Sequence, residues 1–376
     1  MYYFDNAATT KVLKPAADLA LKCMTQMYGN PSSLHKMGLK AEEILDSARK
    51  SIADVLNCEQ GEIIFTSCAT ESVNIALFGS RKNSKHTGKK IITTSIEHAS
   101  TAKCVEKFEE QGYSVVRISP KDVENFSKSL INEVDEKTFL ISLIHVNNEN
   151  GLILPIEEVA KKAKLKNPNL LIHVDIVQSF CKMPLDLSKL KIDLASFSGH
   201  KINAPKGVGG LYIRKGTKIL KRSFGGGQEN NFRPGTEAVP AIAAFGVAAK
   251  INRERMDESL KQYYLLKNHL VSKIKYNSDI YINSPAGCAP YIVNVSIRGI
   301  RSEIMLHFLE QNGFIVSSGS ACSGSRKSGV LQSMGYSKAR EDCSIRISFS
   351  TQNTISQIDM LVDAIEQGQK KLIKSC

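Results

Sequence analysis

Short apolar runs alternate with amphipathic stretches between residues 60 and 216. Seven runs have the length and apolar character of buried strands, and they lie at 62–67, 91–95, 114–119, 139–146, 171–175, 194–200 and 209–216. Stretches between them, such as 69–80 and 155–166, have helical periodicity, and a further helix is indicated at 41–56. Strands that are apolar on both faces and joined by helices predict a mostly parallel sheet covered on both sides.

The pattern changes after about residue 236. A long helical stretch (237–275) is followed by shorter elements, with strands expected at 280–284, 291–297, 314–319 and 343–350 and helices at 302–312 and around 358–365. This order predicts a smaller α+β domain. The N-terminal arm, 1–14, is too short to stand alone. We therefore expect a large domain of residues 15–250 and a small domain built from 1–14 and 251–376.

Composition places the chain among soluble globular proteins. It has 376 residues, 42% apolar and 23% charged, which suggests about two domains. The first residues lack the pattern of a secretory signal, and no run approaches the ~18 apolar residues of a membrane span. The nine cysteines are odd in number and never spaced as CxxC, which disfavours a disulfide framework or a zinc site. We expect a cytoplasmic protein without a metal.

The net charge of +13 concentrates in the segments 161–166, 214–222 and 369–374. A basic surface attracts anionic partners, including nucleic acids. No RNA-binding motif or interleaved aromatic pattern accompanies these segments. A solvated lysine-rich surface is therefore favoured over direct nucleic-acid binding, although the second reading stays open.

Polar clusters follow four of the predicted strands, where ligands bind in open α/β sheets. The clusters are Cys68-Ala69-Thr70, Asn147-Asn148-Glu149, Asp175 with Gln178, and Ser198 with His200 and Lys201. The free N–H groups of the helix that opens at Ala69 could hold a phosphate. Each cluster alone, like His98, also has an ordinary structural explanation as a cap, turn or core residue. Together they predict a site for a phosphorylated, polar cofactor.

Ten motifs occur along the chain in one order: DNAATT (5–10), YGNPSSLH (28–35), ATES (69–72), EH (97–98), HVNNE (145–149), HVDIVQ (173–178), SFSGHK (196–201), GGGQENNFRPGT (225–236), SSGSACSG (317–324) and SIRISFS (344–350). This succession closely resembles the NifS/IscS-like cysteine desulfurases, a branch of the class V aminotransferases. The resemblance spans practically the whole chain. It implies the α/β fold type I of pyridoxal-phosphate enzymes, with a mixed, mostly parallel sheet in the large domain and a smaller C-terminal α+β domain.

The resemblance implies pyridoxal 5'-phosphate as the cofactor and assigns residues to it. Lys201 condenses with the aldehyde, because an amine can later be displaced by the substrate. Asp175 pairs with the pyridine nitrogen and keeps it protonated. Gln178 binds the phenolic oxygen, while His98 stacks on the ring and moves protons. The phosphate is held by Ala69, Thr70, Ser198 and His200.

Three further residues complete the implied site. Thr236 reaches the cofactor phosphate of a neighbouring subunit, which implies a homodimer. Asn148 lies near the cofactor and the substrate. Arg346 binds the carboxylate of the substrate, L-cysteine, with its planar fork.

Cys322 is the implied second catalyst. Its surroundings, SSGSACSG, are rich in glycine and serine and predict a mobile loop. Such a loop lets the thiolate take the sulfur of cysteine, which becomes alanine, and carry it as a persulfide to an acceptor protein. That acceptor would serve iron–sulfur cluster assembly or tRNA thiolation. The compact segment after Cys322 resembles short-looped desulfurases, some of which serve tRNA thiolation.

Three departures from the family pattern stand out. Cys68 replaces a small residue beside the phosphate-binding pair, Cys181 precedes Lys182 where glycine is common, and 230–231 lack a frequent arginine.

Two rival functions are less consistent with the motifs. A selenocysteine lyase or another class V transferase is disfavoured by the SGSAC motif, and a non-catalytic or RNA-associated scaffold by the retained Lys201 and Cys322.

Overall fold

The computed structural model describes residues 1–82, 88–318 and 329–373, so Cys322 lies outside the described residues. The strands are β1 (Tyr2–Tyr3), β2 (Ile63–Thr66), β3 (Lys90–Thr94), β4 (Ser114–Ile118), β5 (Thr138–Ile144), β6 (Leu171–Asp175), β7 (Leu194–Ser198), β8 (Gly209–Ile213), β9 (Ile280–Ile282), β10 (Ile292–Ile297), β11 (Phe314–Ile315) and β12 (Ser344–Ser348). The helices are α1 (Lys14–Thr25), α2 (Lys36–Leu56), α3 (Ala69–Gly79), α4 (Ala99–Glu110), α5 (Phe126–Asn132), α6 (Ile156–Lys166), α7 (Val239–Glu254), α8 (Met256–Ile274), α9 (Ser302–Gln311), α10 (Val330–Ser333), α11 (Lys338–Asp342) and α12 (Ile355–Lys371).

Seven strands form the main sheet in the order β2-β8-β7-β6-β5-β3-β4. Only β8 runs antiparallel to its neighbours, β2 and β7, and the remaining pairs are parallel. The predicted mixed, mostly parallel sheet is therefore confirmed. Each strand matches one of the seven apolar runs, and the bounds of β6 coincide with the predicted run 171–175.

Helices cover both faces of this sheet, and the side chains of each strand alternate between the two layers. Ile64 packs under α3 and α4 on one face, whereas Ile63 and Phe65 pack on the other face with α1, α2 and α7. This alternation follows from the two-residue period of a strand. The predicted helix 41–56 begins earlier, at Lys36, because His35 caps it by accepting a hydrogen bond from the N–H of Gly38.

A second hydrophobic cluster surrounds the antiparallel sheet β12-β10-β9 and the helices α8, α9 and α12. The N-terminal arm packs here, since β1 pairs with β11 and Phe4 lies in the cluster. The predicted helical stretch 237–275 is two helices that are separated at Arg255. Helix α7 packs with α1 and α2 against the main sheet, whereas α8 packs in this second cluster. Within the described ranges no helix combines the length and apolar character needed to cross a membrane.

Candidate active site

A cavity of about 210 Å³ lies at the carboxyl ends of the parallel strands. Ten of the predicted site residues line it: Ala69, Thr70, His98, Asn148, Asp175, Gln178, Ser198, His200, Lys201 and Arg346. Thr236 does not, since it is exposed on the segment before α7. The structure thus brings most of the predicted set into one place, with Arg346 arriving from β12 of the small sheet.

Lys201 reaches the cavity from a tight turn at the end of β7. The turn, Gly199–Lys201, requires its glycine, because a Cβ there would lie 2.9 Å from Cγ1 of Val208. The Lys201 ammonium donates hydrogen bonds to the carbonyl oxygens of Ala7 and Ala8, at 2.7 and 2.6 Å. The N-terminal arm therefore holds this amine at the cavity wall.

Asp175 ends β6, the neighbour of β7, and is buried. Burial raises the pKa of its carboxyl group, while the charge of His98, the N–H of Val177 and the charge of Lys201 all favour the carboxylate. The nearby positive charges partly offset the cost of burying this carboxylate. It is therefore a suitable partner for a cationic ring nitrogen in the cavity.

Another part of the cavity wall offers hydrogen-bond donors to an anion. Helix α3 begins at Ala69, and the buried hydroxyl of Ser198 has no hydrogen-bond partner among the described residues. Burial lowers the pKa of His200 to about 4, so its ring is neutral and is 3.3 Å from the hydroxyl of Thr9. An orphaned buried hydroxyl beside a helix N-terminus fits a bound phosphate.

Arg346 is held through its two terminal nitrogens, and its third nitrogen is not used by the described residues. One terminal nitrogen donates to Oδ1 of Asp5 at 2.7 Å, and the other donates to the carbonyl of Asn148 at 2.8 Å. Its buried Nε–H has no hydrogen-bond partner in the described part of the chain. This unused donor could serve a carboxylate ligand, because a guanidinium forms strong, charge-assisted hydrogen bonds with carboxylates.

Glu97 adds a second buried carboxyl group near Asp175. Its Oε1 accepts hydrogen bonds from the hydroxyl of Thr94 and the N–H of Ile144, at 2.6 and 2.9 Å. Its Oε2 has no partner among the described residues, and burial raises the pKa of Glu97 to about 8. The next residue, His98, caps α4 and contacts the hydroxyl of Ser100 at 2.8 Å.

Sequence reasoning missed several of these groups. It assigned no role to Asp5, to Glu97, or to the carbonyl groups of Ala7 and Ala8. The DNAATT motif (5–10) was the available signal, but backbone carbonyls leave no trace in residue identity. Within the described ranges no group of three or more His, Cys, Asp or Glu side chains could hold a metal ion.

Comparison with known proteins agrees with this geometry. The model of the family "Aminotransferase class-V" matches residues 2–361. A NifS/IcsS protein homolog from Lactobacillus delbrueckii subsp. bulgaricus is 37% identical over 98% of this chain and 97% of its own length. The cysteine desulfurase IscS of Methanosarcina thermophila is also 37% identical, over 98% and 92%. A solved NifS-like protein superimposes with a TM-score of 0.91 at 37% identity, covering 99% of this chain and 100% of that one.

These matches extend over nearly the whole length of each protein. They confirm the predicted fold type I, the dependence on pyridoxal phosphate and the predicted class of enzyme. The chain therefore belongs to the class-V aminotransferase family and, within it, to the NifS/IscS-like cysteine desulfurases.

Proposed function

We propose that this cysteine desulfurase converts L-cysteine to L-alanine with Lys201 and His98 as catalytic residues and with Cys322 as the carrier of the sulfur. The proposal rests on one observation: Lys201, the buried Asp175 and Arg346, whose Nε–H has no partner among the described residues, line a single cavity. Bound pyridoxal phosphate would supply the electron sink that cysteine chemistry needs.

The cofactor would lie with its phosphate toward the start of α3 and Ser198, and with its ring nitrogen against Asp175. Its phenolic oxygen would face the amide of Gln178, which lines the same cavity. In this arrangement the buried hydroxyl of Ser198 gains the partner that it lacks. The charge of the cofactor is then matched at both ends of the cavity.

The substrate would be oriented by its carboxylate. Arg346 would bind it through its unpartnered Nε–H, while Asp5 and the Asn148 carbonyl keep the guanidinium in place. The half-buried His98 is then available to hold or move a proton at the reacting centre, a task that suits imidazole near neutral pH.

Three substitutions test the assigned roles. Lys201→Ala should abolish the borohydride-reducible link to the cofactor, and Lys206→Ala, an exposed neighbour, should keep it. Asp175→Asn should bind the cofactor but lose most activity. Cys322→Ser should bind cysteine and release almost no sulfur. Mass mapping of the reduced protein and assays of alanine and sulfide measure these outcomes. A reducible link in Lys201→Ala, or normal sulfide release by Cys322→Ser, would disprove the assignments.

The protein would act as a homodimer. Thr236 is exposed and lies outside the cavity of its own chain, which suits a role in the partner's site. Phe224, 92% exposed, lies on the same segment and would be covered by a second copy. Sedimentation at micromolar concentration should give twice the chain mass. A mixture of Thr236→Ala and Lys201→Ala chains should regain part of the activity that each lacks, and no gain on mixing would contradict a shared site.

The acceptor would be an acidic protein that serves iron–sulfur cluster assembly or tRNA thiolation. Both proteins would be cytoplasmic, and the seven cysteines of the described residues, none in a disulfide, would stay reduced there. The exposed lysines of 214–222 would recruit it electrostatically. Raising salt from ~0.15 to ~0.5 M should then weaken persulfide transfer several-fold but spare sulfide release to a small thiol. Reversal of Lys215, Lys218 and Lys221 to Glu should reproduce the loss at low salt. Equal salt dependence of both assays would show that these lysines only aid solubility.

A further inference from the structure

Lys182 lies beside the candidate site without lining the cofactor cavity. It follows Cys181, whose φ of 58° places the backbone in the left-handed region. This conformation explains why glycine is common at that position. The half-buried Lys182 shares a second, larger cavity with Lys201. The chain thus brings a second lysine close to the first.

The contacts of Lys182 lead directly to a predicted cofactor ligand. Its ammonium lies 3.3 Å from Oε1 of Gln178 and 5.0 Å from the centre of the Tyr291 ring. The Tyr291 hydroxyl donates to the backbone carbonyl of Gln178 at 2.8 Å. Gln178 and Tyr291 are both buried, at 3% and 2% exposure. Tyr291 therefore fixes the backbone of Gln178, and Lys182 contacts its side-chain oxygen.

The direction of the Gln178 amide follows from this chemistry. An ammonium group has donors and no acceptor, so only the oxygen of the amide can face it. The NH₂ group then points the other way and donates to the carbonyl of Ala7 at 2.9 Å, the carbonyl that also accepts from Lys201. Lys182 thus keeps a donor, rather than an acceptor, on the side of Gln178 that faces the cavity.

The charge of Lys182 is sensitive to pH near neutrality. The pKa of Lys182 is lowered to about 7, mainly by burial and then by the charge of Lys201. Arg346 also lowers this pKa, whereas the nearby Cys181 raises it. Below that pH the group is an ammonium and can only donate. Above it the neutral amine can also accept, so its constraint on the amide and its positive charge both weaken.

We propose that Lys182 is a positioning residue for the cofactor, which holds the NH₂ group of Gln178 toward the cavity and adds positive charge that favours an anionic phenolic oxygen. This inference rests on the proposed placement of the cofactor. It gives Lys182 a role distinct from that of Lys201, since Lys182 makes no covalent bond.

Binding of pyridoxine 5'-phosphate to the cofactor-free protein tests the proposal, because this ligand keeps the phenolic oxygen but lacks the aldehyde. Lys182→Met should bind it about three- to tenfold more weakly than the wild type at pH 6, since a charge-assisted contact is lost. The deficit should shrink toward pH 8.5, where the wild type loses the same charge. Lys182→Arg should bind like the wild type at pH 6, and the exposed Lys161→Met serves as the control.

Circular dichroism and urea unfolding establish that each variant is folded before binding is measured. A deficit of Lys182→Met that does not change with pH, or one below twofold at pH 6, overturns the proposal. Failure of Lys182→Arg to restore binding at pH 6 also counts against it. If the wild type itself does not bind pyridoxine phosphate, the proposed cofactor site is wrong, which is a distinguishable result.

Discussion

Two buried arginine–carboxylate pairs differ in how many of the arginine N–H groups form hydrogen bonds. The shortest nitrogen–oxygen distance is the same in both pairs. Arg49 on α2 binds Glu229 through two nitrogens, at 2.7 and 3.0 Å, and also donates to the carbonyl of Ile63. Arg346 meets Asp5 at 2.7 Å through one nitrogen only, and its buried Nε–H has no partner among the described residues. The bidentate pair uses its donors within the fold, whereas the incomplete pair leaves one donor that a ligand could use.

The surroundings of the two pairs agree with this difference. Glu229 also accepts from the N–H of Phe65, at 2.7 Å, and the Arg49 guanidinium lies 4.7 Å from the centre of the Phe65 ring. Glu229, Asn230 and Asn231 are three successive residues with positive φ, a strained conformation. The Arg49 pair therefore holds a loop that would otherwise relax. Arg346 instead lines the cavity.

Breaking the bidentate pair should have the largest effect. Arg49→Met leaves Glu229 buried without its cation, so we expect the free energy of unfolding to fall by about 3–5 kcal/mol. Urea unfolding of the cofactor-free protein measures it. The neighbouring exposed pair, Lys50 with Asp54, provides the control, since Lys50→Met should cost less than about 1 kcal/mol. Equal losses in the two variants would show that the burial of the pair is unimportant.

Glu97 sharpens the comparison as a buried carboxyl group whose hydrogen-bond donors are neutral, the Thr94 hydroxyl and the Ile144 N–H. Its pKa is raised to about 8 by burial, against an ordinary value of 4.5. Between these values the unfolded chain loses a proton that the folded chain keeps, so this group lowers stability as pH rises. Glu97→Gln should remove that decline.

The comparison of unfolding free energies at pH 5.5 and 8 measures this effect. As pH rises from 5.5 to 8, the free energy of unfolding of Glu97→Gln should increase relative to that of the wild type by on the order of 3 kcal/mol. Glu157→Gln, at an exposed position on α6, should gain nothing. A parallel pH dependence of wild type and Glu97→Gln would mean that Glu97 is ionised in the folded protein at pH 5.5.

The incomplete pair should respond in substrate binding rather than in stability. Arg346→Lys replaces a planar fork by a single ammonium, so kcat/KM for cysteine should fall about 100-fold, mainly through KM. Alanine formation measures both constants. Arg117→Lys, which alters an exposed bidentate pair with Glu109, should leave them unchanged. An unchanged KM in Arg346→Lys would place the substrate carboxylate elsewhere.

The smallest effect should come from Asp5, which only orients Arg346. Asp5→Asn keeps the shape and one acceptor oxygen but removes the charge, so we expect KM for cysteine to rise about fivefold, as for a weakened ion pair. Because the arginine fork remains, kcat should change little. Asp18→Asn on the exposed face of α1 is the matched control. A loss as large as that of Arg346→Lys would make Asp5 a direct participant in catalysis.

The sequence predicted the central fold well because its signal is local. Every strand of the main sheet except the partly exposed β4 is an apolar run that both layers bury, so the pattern of residues marks it without knowledge of its neighbours. The boundary at Arg255 was harder, since α7 and α8 have continuous helical periodicity and differ only in the cluster that they join. The roles of all the site residues, including Thr236 and Cys322, and the domain bounds remain predictions.

By itself the sequence determined the family and the side chains available to the site, because these depend on residue identity in an ordered set of motifs. The tertiary structure alone decided which groups meet. Asp5 contacts Arg346 across 341 positions, Ala7 accepts from Lys201 across 194, and Tyr291 donates to the Gln178 carbonyl across 113. Such contacts depend on how the arm and the two sheets pack, and packing is set by the whole chain rather than by any local pattern.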